Sequence, residues 1–441
     1  MQLPADFVRT TEALMGRERF ERYLHSFEED TPVSIRLNPR KCEKWKVAPG
    51  QRTLATEGTQ EGGERIEWCR NGYYLDKRPN FTFDPLFHAG CYYVQEAASM
   101  FLDEVLRQLA VSNWLLADSQ SPTPNSQPLT VLDLCAAPGG KSTLLRAALP
   151  ADAVLYSNEP MRNRASILLE NVQKWGYENH YVTNLFPKDY RKSKMKFDLI
   201  LCDVPCSGEG MFRKDEATIK EWSPQNVEKC WQLQRDIVSD AWQCLNDGGI
   251  LIYSTCTFNT KENEENIRWM MEELGAHVLP IDTKPEWNIT GSLLEGFSEP
   301  VYRFIPGITR SEGLFMCLLQ KGDGQLVRTR RTASPNTSDK KSARDGLKLT
   351  ILDEIPLHAN GPQAELSYAD ALAYLRHEAL VLPPDTPRGL VEVCFMGHPL
   401  GLVKNIGNRA NNLYPKEWRI KTTHVPQDYE PVLLPIPEHA G

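Results

Sequence analysis

The sequence predicts an α/β protein built on a doubly wound, mostly parallel sheet, with smaller units on either side. Three observations carry that prediction. Short apolar runs alternate with helical patterns between residues 130 and 320. A glycine-rich turn, "CAAPGGKS" (135–142), follows the first of those runs. At 441 residues the chain is too long for one ordinary core.

The elements follow in order. Residues 1–40 open with helical spacing (Phe7, Leu14, Met15, Phe20, Tyr23, Leu24) and pass into a strand, "VSIRLN". Residues 45–64 are polar and glycine-rich and read as a loop. "CYYVQEAASMFLDEVLRQL" (91–109) reads as a strand end turning into an amphipathic helix, and 117–129 as a loop. Strands are then expected at 130–135, 153–160, 180–184, 197–205, 250–256 and 313–320, with helices near 141–148, 162–175 and 224–245. For the last of these helices Ser223 supplies a cap and Pro224 suits the first turn. Val227, Trp231, Ile237, Val238, Ala241 and Leu245 form its apolar stripe, and "DGG" (247–249) is expected to end it. Asn259, with Glu262 three residues on, predicts the capping box of a further helix. Residues 322–346 are polar and charged and read as a linker. Beyond them, a helix at 367–379 and strands such as "LVEVCFMG" and "LGLVKN" predict a small α+β or β-barrel-like module.

Composition narrows the function classes. Hydrophobic content of 41% and charged content of 24% are those of a soluble globular protein. No apolar run approaches the ~20 residues needed to cross a bilayer. The N-terminus lacks the apolar core and small-residue cleavage site of a signal peptide, so the cytoplasm is the expected location. The eleven cysteines are scattered and form no CxxC pair, which argues against a disulfide framework and against zinc; no metal is expected. A net charge of −8 argues against a general nucleic-acid coat. Three stretches are nevertheless locally basic: 188–196, 328–348 and 404–421, the last with Lys404, Arg409, Lys416, Arg419 and Lys421. Each is either a solvated face or part of an RNA surface.

The "GGKS" turn invites comparison with a P-loop. The position where a P-loop needs its first glycine is Cys135, and Pro138 stiffens the turn, so a nucleotide triphosphatase is disfavoured. A nucleoside-cofactor turn fits better, because ligands of such sheets bind at the carboxyl ends of the strands. Glycines there allow close backbone approach, and the next helix offers free N–H groups. Glu159 ends the second strand, where an acid can bridge two ribose hydroxyls. Asn184 ends the third and can meet an adenine edge. Together they favour S-adenosylmethionine; singly, Glu159 also reads as an exposed strand-end acid and Asn184 as a turn residue.

Cys206, in "DVPCSGEGMF", and Cys256, in "YSTCTFNTKENEEN", each follow the carboxyl end of a strand. Beside a methyl donor a thiol has a specific use. Its addition to carbon 6 of a cytosine turns carbon 5 into an enamine carbon that takes a methyl group. Asp203 can protonate or hydrogen-bond the ring N3, given a raised pKa. Lys141 and the helix start near Asn259 are candidates for stabilising a thiolate. Methylation of exocyclic amines tends to place an aromatic residue where Cys206 stands. The Pro-Cys pair taken alone points to Cys206 as the attacking thiol, and the second strand-end cysteine reopens that choice.

With these residues in place, the chain resembles the Nol-Nop-Sun family of RNA cytosine-5 methyltransferases, in its bacterial RsmF-like branch. The matching motifs are "YYVQEAASM" (92–100), "LDLCAAPGGKS" (132–142), "SNEP" (157–160), "DVPCSGEGMFRKD" (203–215), "YSTCTFNTKENEENI" (253–267) and "EGLFMCLLQ" (312–320). "VSIRLNP" resembles the family's N-terminal domain, and "GHPLGLVKNIGNRANNLYPKEWRI" the branch's PUA-like region. The resemblance implies a Rossmann-like doubly wound methyltransferase sheet with a small N-terminal α+β domain and a C-terminal PUA-like domain. The corresponding boundaries are 1–90, 91–321, a linker at 322–346, and 347–441. It implies Cys256 as the nucleophile and Cys206 as the product-release thiol. It implies that Cys135, Ala136, Ala137, Pro138, Gly139, Gly140, Lys141, Glu159 and Asp203 hold S-adenosyl-L-methionine, with Asn184 where the family often has an acid. The implied partner is ribosomal RNA or the small ribosomal subunit (16S rRNA), acted on by a monomer. Transfer RNA with the same chemistry, or a non-catalytic assembly role, are the alternatives. The chain departs from the family at "RFIPG" (303–307), where Gly307 replaces a common histidine.

Overall fold

A computed structural model describes residues 3–48, 63–112, 128–322, 351–422 and 424–437. The expected linker, apart from residue 322, lies outside the described residues, as do the basic stretch 328–348 and most of the 117–129 loop.

The chain opens with two helices, Ala5–Met15 and Arg17–His25. Their apolar stripes supply Phe7, Phe20 and Tyr23 to a cluster with Phe212, Trp222 and Phe258. The helical spacing therefore serves to cover the loops beyond two central strands. Next come β1 (Val33–Leu37), β2 (Trp45–Val47), β3 (Glu64–Arg65), β4 (Gly72–Leu75) and β5 (Tyr92–Val94). Four of these form an antiparallel sheet in the order β3-β4-β1-β5. Residues 45–47 were expected in a loop. They form a strand because a partner from the far end of the chain is available to pair with it.

The central sheet contains β6 (Thr130–Asp133), β7 (Val154–Asn158), β8 (His180–Thr183), β9 (Phe197–Asp203), β10 (Leu245–Thr255), β11 (Ala276–Leu279), β12 (Tyr302–Phe304) and β13 (Leu314–Lys321). Its order is β11-β13-β10-β9-β6-β7-β8, with β12 paired to β13. Strands β6 to β10 run parallel, and β13 lies antiparallel to β10. Helices cover both faces, so the inner strands are apolar throughout. The period of two sends Leu199 and Leu201 to one core, with Leu144 and Val105, and Ile200 and Cys202 to the other, with Ile237 and Met270. From β6 the chain winds outward through β7 and β8, then returns to β9 on the other side. That reversal makes the carboxyl ends of β6 and β9 the switch point, where ligands of such sheets bind.

Two expected boundaries shift. Ser223 caps the helix Pro224–Cys244 as expected, its hydroxyl accepting from the Asn226 N–H at 3.1 Å. "DGG" does not separate that helix from the next strand, because β10 begins at Leu245 and the glycines sit inside it. Pairing with β9 is irregular between Leu245 and Ile250, and Gly248 has a φ of 76°. A Cβ on Gly249 would stand 2.8 Å from the Asn246 carbonyl oxygen, so close backbone approach, not chain termination, selects glycine there. The helix expected from Asn259 instead spans Glu264–Leu274. Glu262 is drawn across to another loop, as described below.

The C-terminal unit holds β14 (Gln363–Glu365), a helix Tyr368–Leu375 capped by Ser367, β15 (Gly389–Phe395), β16 (His398–Asn405), β17 (Ala410–Asn412) and β18 (Leu433–Pro435). The first four strands form a sheet in that order, and β18 pairs with β2. Its core is continuous with the N-terminal sheet: Ile35, Val47 and Tyr92 pack in one cluster with Leu372, Val391 and Val403. Buried Asp84 joins the two units, accepting from the hydroxyls of Tyr92 at 2.7 Å and Tyr429 at 3.1 Å.

Candidate active site

The turn after β6 carries the first group of expected residues. Asp133 is fully buried and accepts from the Ser142 hydroxyl at 2.5 Å. Burial pushes its carboxyl up to about 7. Its Oδ1 has no hydrogen-bond partner among the described residues. The Ala136 N–H donates to the Asn158 carbonyl at 2.8 Å, binding this turn to the end of β7. The Ala137 carbonyl accepts from Arg164 at 3.0 Å, and the Pro138 carbonyl from Asn171 at 2.8 Å. Gly139, at a φ of 117°, turns the chain into the helix Gly140–Ala148. Burial holds the Cys135 thiol well above its usual pKa, which suits a packing role. The N-terminal sheet braces the turn through buried Arg36. That guanidinium donates to the Thr143 hydroxyl at 2.6 Å and the Gly140 carbonyl at 3.2 Å, and stacks 4.4 Å over Trp175.

Glu159 is buried, which removes the reading of an exposed strand-end acid. It accepts from the Met161 N–H at 3.0 Å and lies 3.2 Å from Arg164. Asn184 donates to the carbonyls of Glu159 at 2.7 Å and Pro160 at 2.9 Å. Both amide hydrogens thus fasten the Glu159 turn, and the Oδ1 carbonyl is the atom left to meet a ligand.

The structure brings the two cysteines together. Their sulfurs are 3.0 Å apart, and the Cys256 N–H donates to the Cys206 sulfur at 3.3 Å. The cause is register: Ser254 on β10 pairs with Asp203 on β9, so the two strands end level. Lys141 reaches the same point, its Nζ 2.8 Å from Asp203, whose other oxygen accepts from Ser254 at 2.5 Å. Burial opposes the lysine charge, but Asp203, and then Cys256, outweigh it and hold its pKa above the ordinary lysine value. Asp203, expected to protonate or hydrogen-bond the ring N3, is thus paired with Lys141 and Ser254 at the mouth of the thiol site. The contact with Cys256, followed by burial, pushes the Cys206 thiol well above its usual pKa.

Further residues around the thiols complete the site, although the sequence assigned them no role there. Glu209 and Glu262 tie the two cysteine loops together. Gly210 lies so close that a Cβ would stand 2.6 Å from Gly313 Cα and 2.9 Å from the Cys256 carbonyl oxygen. Arg303 and Glu264, both fully buried, pair at 2.6 Å, and Arg303 also donates to the Phe258 carbonyl at 3.2 Å. At Gly307 a Cβ would meet the Arg22 carbonyl oxygen at 2.3 Å, with φ at 78°. The first helices close over this spot and leave no room for a histidine. Glu209 alone of these acids carried a local signal, its place between Gly208 and Gly210, where close backbone approach strands N–H groups in need of acceptors.

Of the basic stretches, 188–196 keeps its five cations exposed, and two of them are engaged in polar contacts. Arg191 pairs with Asp240 at 3.1 Å, and Lys196 donates to the Gln243 carbonyl at 2.6 Å. In 404–421, Lys404, Arg409, Lys416, Arg419 and Lys421 are exposed. All eleven cysteines are free. Among the described residues no cluster of acids, histidines and cysteines could hold a metal, and no helix is long and apolar enough to cross a membrane.

The sheet order, the glycine turn at the switch point and the paired strand-end residues define a protein of the Rossmann-like methyltransferase class. Comparison with known proteins extends this. The model of the 16S rRNA methyltransferase RsmB/F family matches residues 121–320, that of the RsmF N-terminal domain 3–97, and that of the RsmF PUA domain 362–420. The chain belongs to the RsmF family. It is 30% identical to the ribosomal RNA small subunit methyltransferase F of Pectobacterium atrosepticum, over 72% of this chain and 63% of that protein, under two thirds of its length. It is 26% identical to the protein of the same name from Erwinia tasmaniensis, over 94% and 96% of the two chains. Among solved structures, a methyltransferase homologue from Pyrococcus horikoshii matches at 26% identity with a TM-score of 0.53, covering 70% of this chain and 92% of that one. The NSun6 structure from the same organism shares the fold at 19% identity and a TM-score of 0.55, covering 73% and 98%.

Proposed function

We propose that this protein transfers a methyl group from S-adenosylmethionine to carbon 5 of a cytosine in small-subunit (16S) ribosomal RNA, through a covalent bond between Cys256 and carbon 6. The observation that carries this reading is the 3.0 Å contact of two thiols at the ends of β9 and β10, beside the Lys141–Asp203 pair.

The residues present fit the cofactor. Asp133 offers an unpartnered buried oxygen, Glu159 a buried carboxylate on the switch-point turn, and Asn184 a free carbonyl oxygen. Cys135 to Lys141 and Asp203 complete the cradle. When bound, S-adenosylmethionine supplies a methyl group on a positively charged sulfur. The residues then act as follows. The Cys256 thiolate forms a bond to carbon 6, and the ring's π electrons move to carbon 5. Asp203 and Lys141 present an acceptor and a charged donor to the ring's polar edge, drawing electron density from carbon 6. Once Cys256 is bonded to carbon, the thiol contact that raises the Cys206 pKa is gone. Cys206 gives its own proton to solvent and, as a thiolate, takes the carbon-5 proton. The freed electron pair re-forms the carbon 5–carbon 6 double bond, the carbon–sulfur bond breaks, and Cys256 leaves as a thiolate. The exposed lysines and arginines of 404–421 suit RNA phosphates. We take the working form to be a cytoplasmic monomer.

Bisulfite sequencing of ribosomal and transfer RNA, with and without the gene, tests the substrate. A 16S methylcytosine should vanish on deletion and return with the native gene but not with Cys256→Ala. A full set of 16S marks in the deletion strain overturns the assignment to 16S rRNA, and loss of a transfer-RNA mark instead moves the substrate.

A further inference from the structure

The two cysteine loops hold each other by exchanged carboxylates. Glu209 belongs to the loop of Cys206 but serves the loop of Cys256. Its Oε2 accepts from the N–H groups of Phe258 at 2.8 Å and Asn259 at 3.0 Å. Its Oε1 accepts from the Trp222 indole at 3.0 Å and the Asn259 amide at 3.2 Å. Glu262 lies beyond Cys256 but serves the loop of Cys206. Its Oε2 accepts from the Ser207 N–H at 3.0 Å and from Gln234 at 2.7 Å, and Gln234 also donates to the Pro205 carbonyl at 2.9 Å. Its Oε1 accepts from the Asn259 amide at 2.8 Å, so Asn259 touches both acids. Two shorter ties lie between them: Ser207 and Thr257 hydroxyls at 2.8 Å, and the Gly210 N–H to the Cys256 carbonyl at 2.8 Å.

Both acids are buried, at 2% and 0% exposure, where a carboxylate survives only if its oxygens are satisfied. Every hydrogen bond given above to Glu209 or Glu262 brings an N–H to a carboxylate oxygen. A glutamine at either place would turn its own NH2 towards such donors, whichever way it flipped. The acid itself is therefore specified, not merely its shape. A neutral turn would have closed either loop alone; what the exchange adds is a fixed register between two loops whose only shared feature is a thiol.

We propose that Glu209 and Glu262 are positioning residues that hold the sulfurs of Cys206 and Cys256 in contact, so that attack by one and release by the other need no loop rearrangement. The role in attack and release rests on the function proposed above; the register itself does not, and is measured without RNA or cofactor.

The probe is an azodicarboxamide oxidant such as diamide. It removes the two thiol hydrogens and their electrons, forming one S–S bond while its N=N bond is reduced to the hydrazine. The native protein should close a Cys206–Cys256 disulfide, read by peptide mass spectrometry and reversed by a dithiol. Glu209→Gln and Glu262→Gln should each slow closure about tenfold or more, the loss expected from one or two buried hydrogen bonds. Their far-ultraviolet circular dichroism and their affinity for S-adenosylhomocysteine should stay native. Asn259→Ala, which removes donors but spares the backbone contacts of both acids, should fall between. Equal closure rates in the native protein and both glutamine variants overturn the proposal, as does a native protein that does not close. In a Cys206→Ala background, Glu209→Gln should slow covalent capture of RNA without changing the RNA concentration at half-saturation. Slow disulfide closure together with no capture in any variant would fault the methyltransferase reading and leave the register standing.

Discussion

Gly210→Ala gives the sharpest structural test, because the added methyl has nowhere to go. Its carbon would stand 2.6 Å from Gly313 Cα and 2.9 Å from both the Gly313 and Cys256 carbonyl oxygens. All three are backbone atoms, so no rotamer change relieves the contact. Overpacking of this kind costs about 1–3 kcal/mol. For a domain of roughly 200 residues that is a fall in melting temperature of about 2–4 °C per kcal/mol. The displacement falls on the loop of Cys256, the proposed nucleophile, since the Gly210 N–H binds the Cys256 carbonyl at 2.8 Å. A shift of about 1 Å in a reacting group costs on the order of 100-fold in rate. Gly208→Ala is the control. Gly208 has a φ of 75°, but its nearest neighbour to a new Cβ is Thr218 at 3.9 Å, so only backbone strain of about 1 kcal/mol applies. Thermal unfolding and single-turnover methyl transfer on both variants give the comparison. A Gly210→Ala protein that matches Gly208→Ala in both measurements would refute the packing argument.

Three further outcomes are expected. Arg303→Met leaves Glu264 buried and uncompensated, and should cost about 3–5 kcal/mol in urea unfolding; a loss below about 1 kcal/mol would mean that the pair contributes little. Burial lifts the Asp133 carboxyl from 3.8 to about 7, so between those values the folded state holds a proton that the unfolded chain has lost. Stability should therefore fall as pH rises from about 4 to about 7 and then level off, by about 4 kcal/mol for this group; Asp133→Asn should remove that slope, and parallel pH curves would contradict it. Asn184→Ala loses two hydrogen bonds worth about 1 kcal/mol each and should weaken S-adenosylhomocysteine binding about 5- to 30-fold by calorimetry. Asn184→Asp should be at least as weak, because a carboxylate cannot donate to the Glu159 and Pro160 carbonyls; tighter binding would place an adenine contact ahead of the turn.

The central strands were legible because a parallel strand buried on both faces is a plain apolar run, as in "FDLILC". The helix after Ser223 was legible because cap, proline and stripe are all local. What escaped depended on partners far away in the chain. β2 exists only because Leu433–Pro435 pairs with it. The helix starts at Glu264 and not beside Asn259. The Asn259 side-chain carbonyl oxygen does accept from the Glu262 N–H at 2.9 Å, but the Glu262 carboxylate, expected to turn back to the Asn259 backbone, binds the Ser207 N–H and the Asn259 amide. The same division holds at the site. Cys206, Cys256, Lys141 and Asp203 lie in short motifs whose chemistry can be named from residue type and strand position. Glu209, Glu262, Arg303 and the steric need for Gly210 and Gly307 arise only where two loops meet, and no local pattern records that meeting.

The most direct measurement is covalent capture of RNA by the single-cysteine variants. Cys206→Ala or Cys256→Ala protein is incubated with a cytosine-bearing 16S fragment and S-adenosylmethionine, then denatured and resolved by size. Cys206→Ala should accumulate a protein–RNA adduct that it cannot release, and Cys256→Ala should form none. An adduct on Cys256→Ala, or none on either, would contradict the assignment of Cys256 as the attacking thiol.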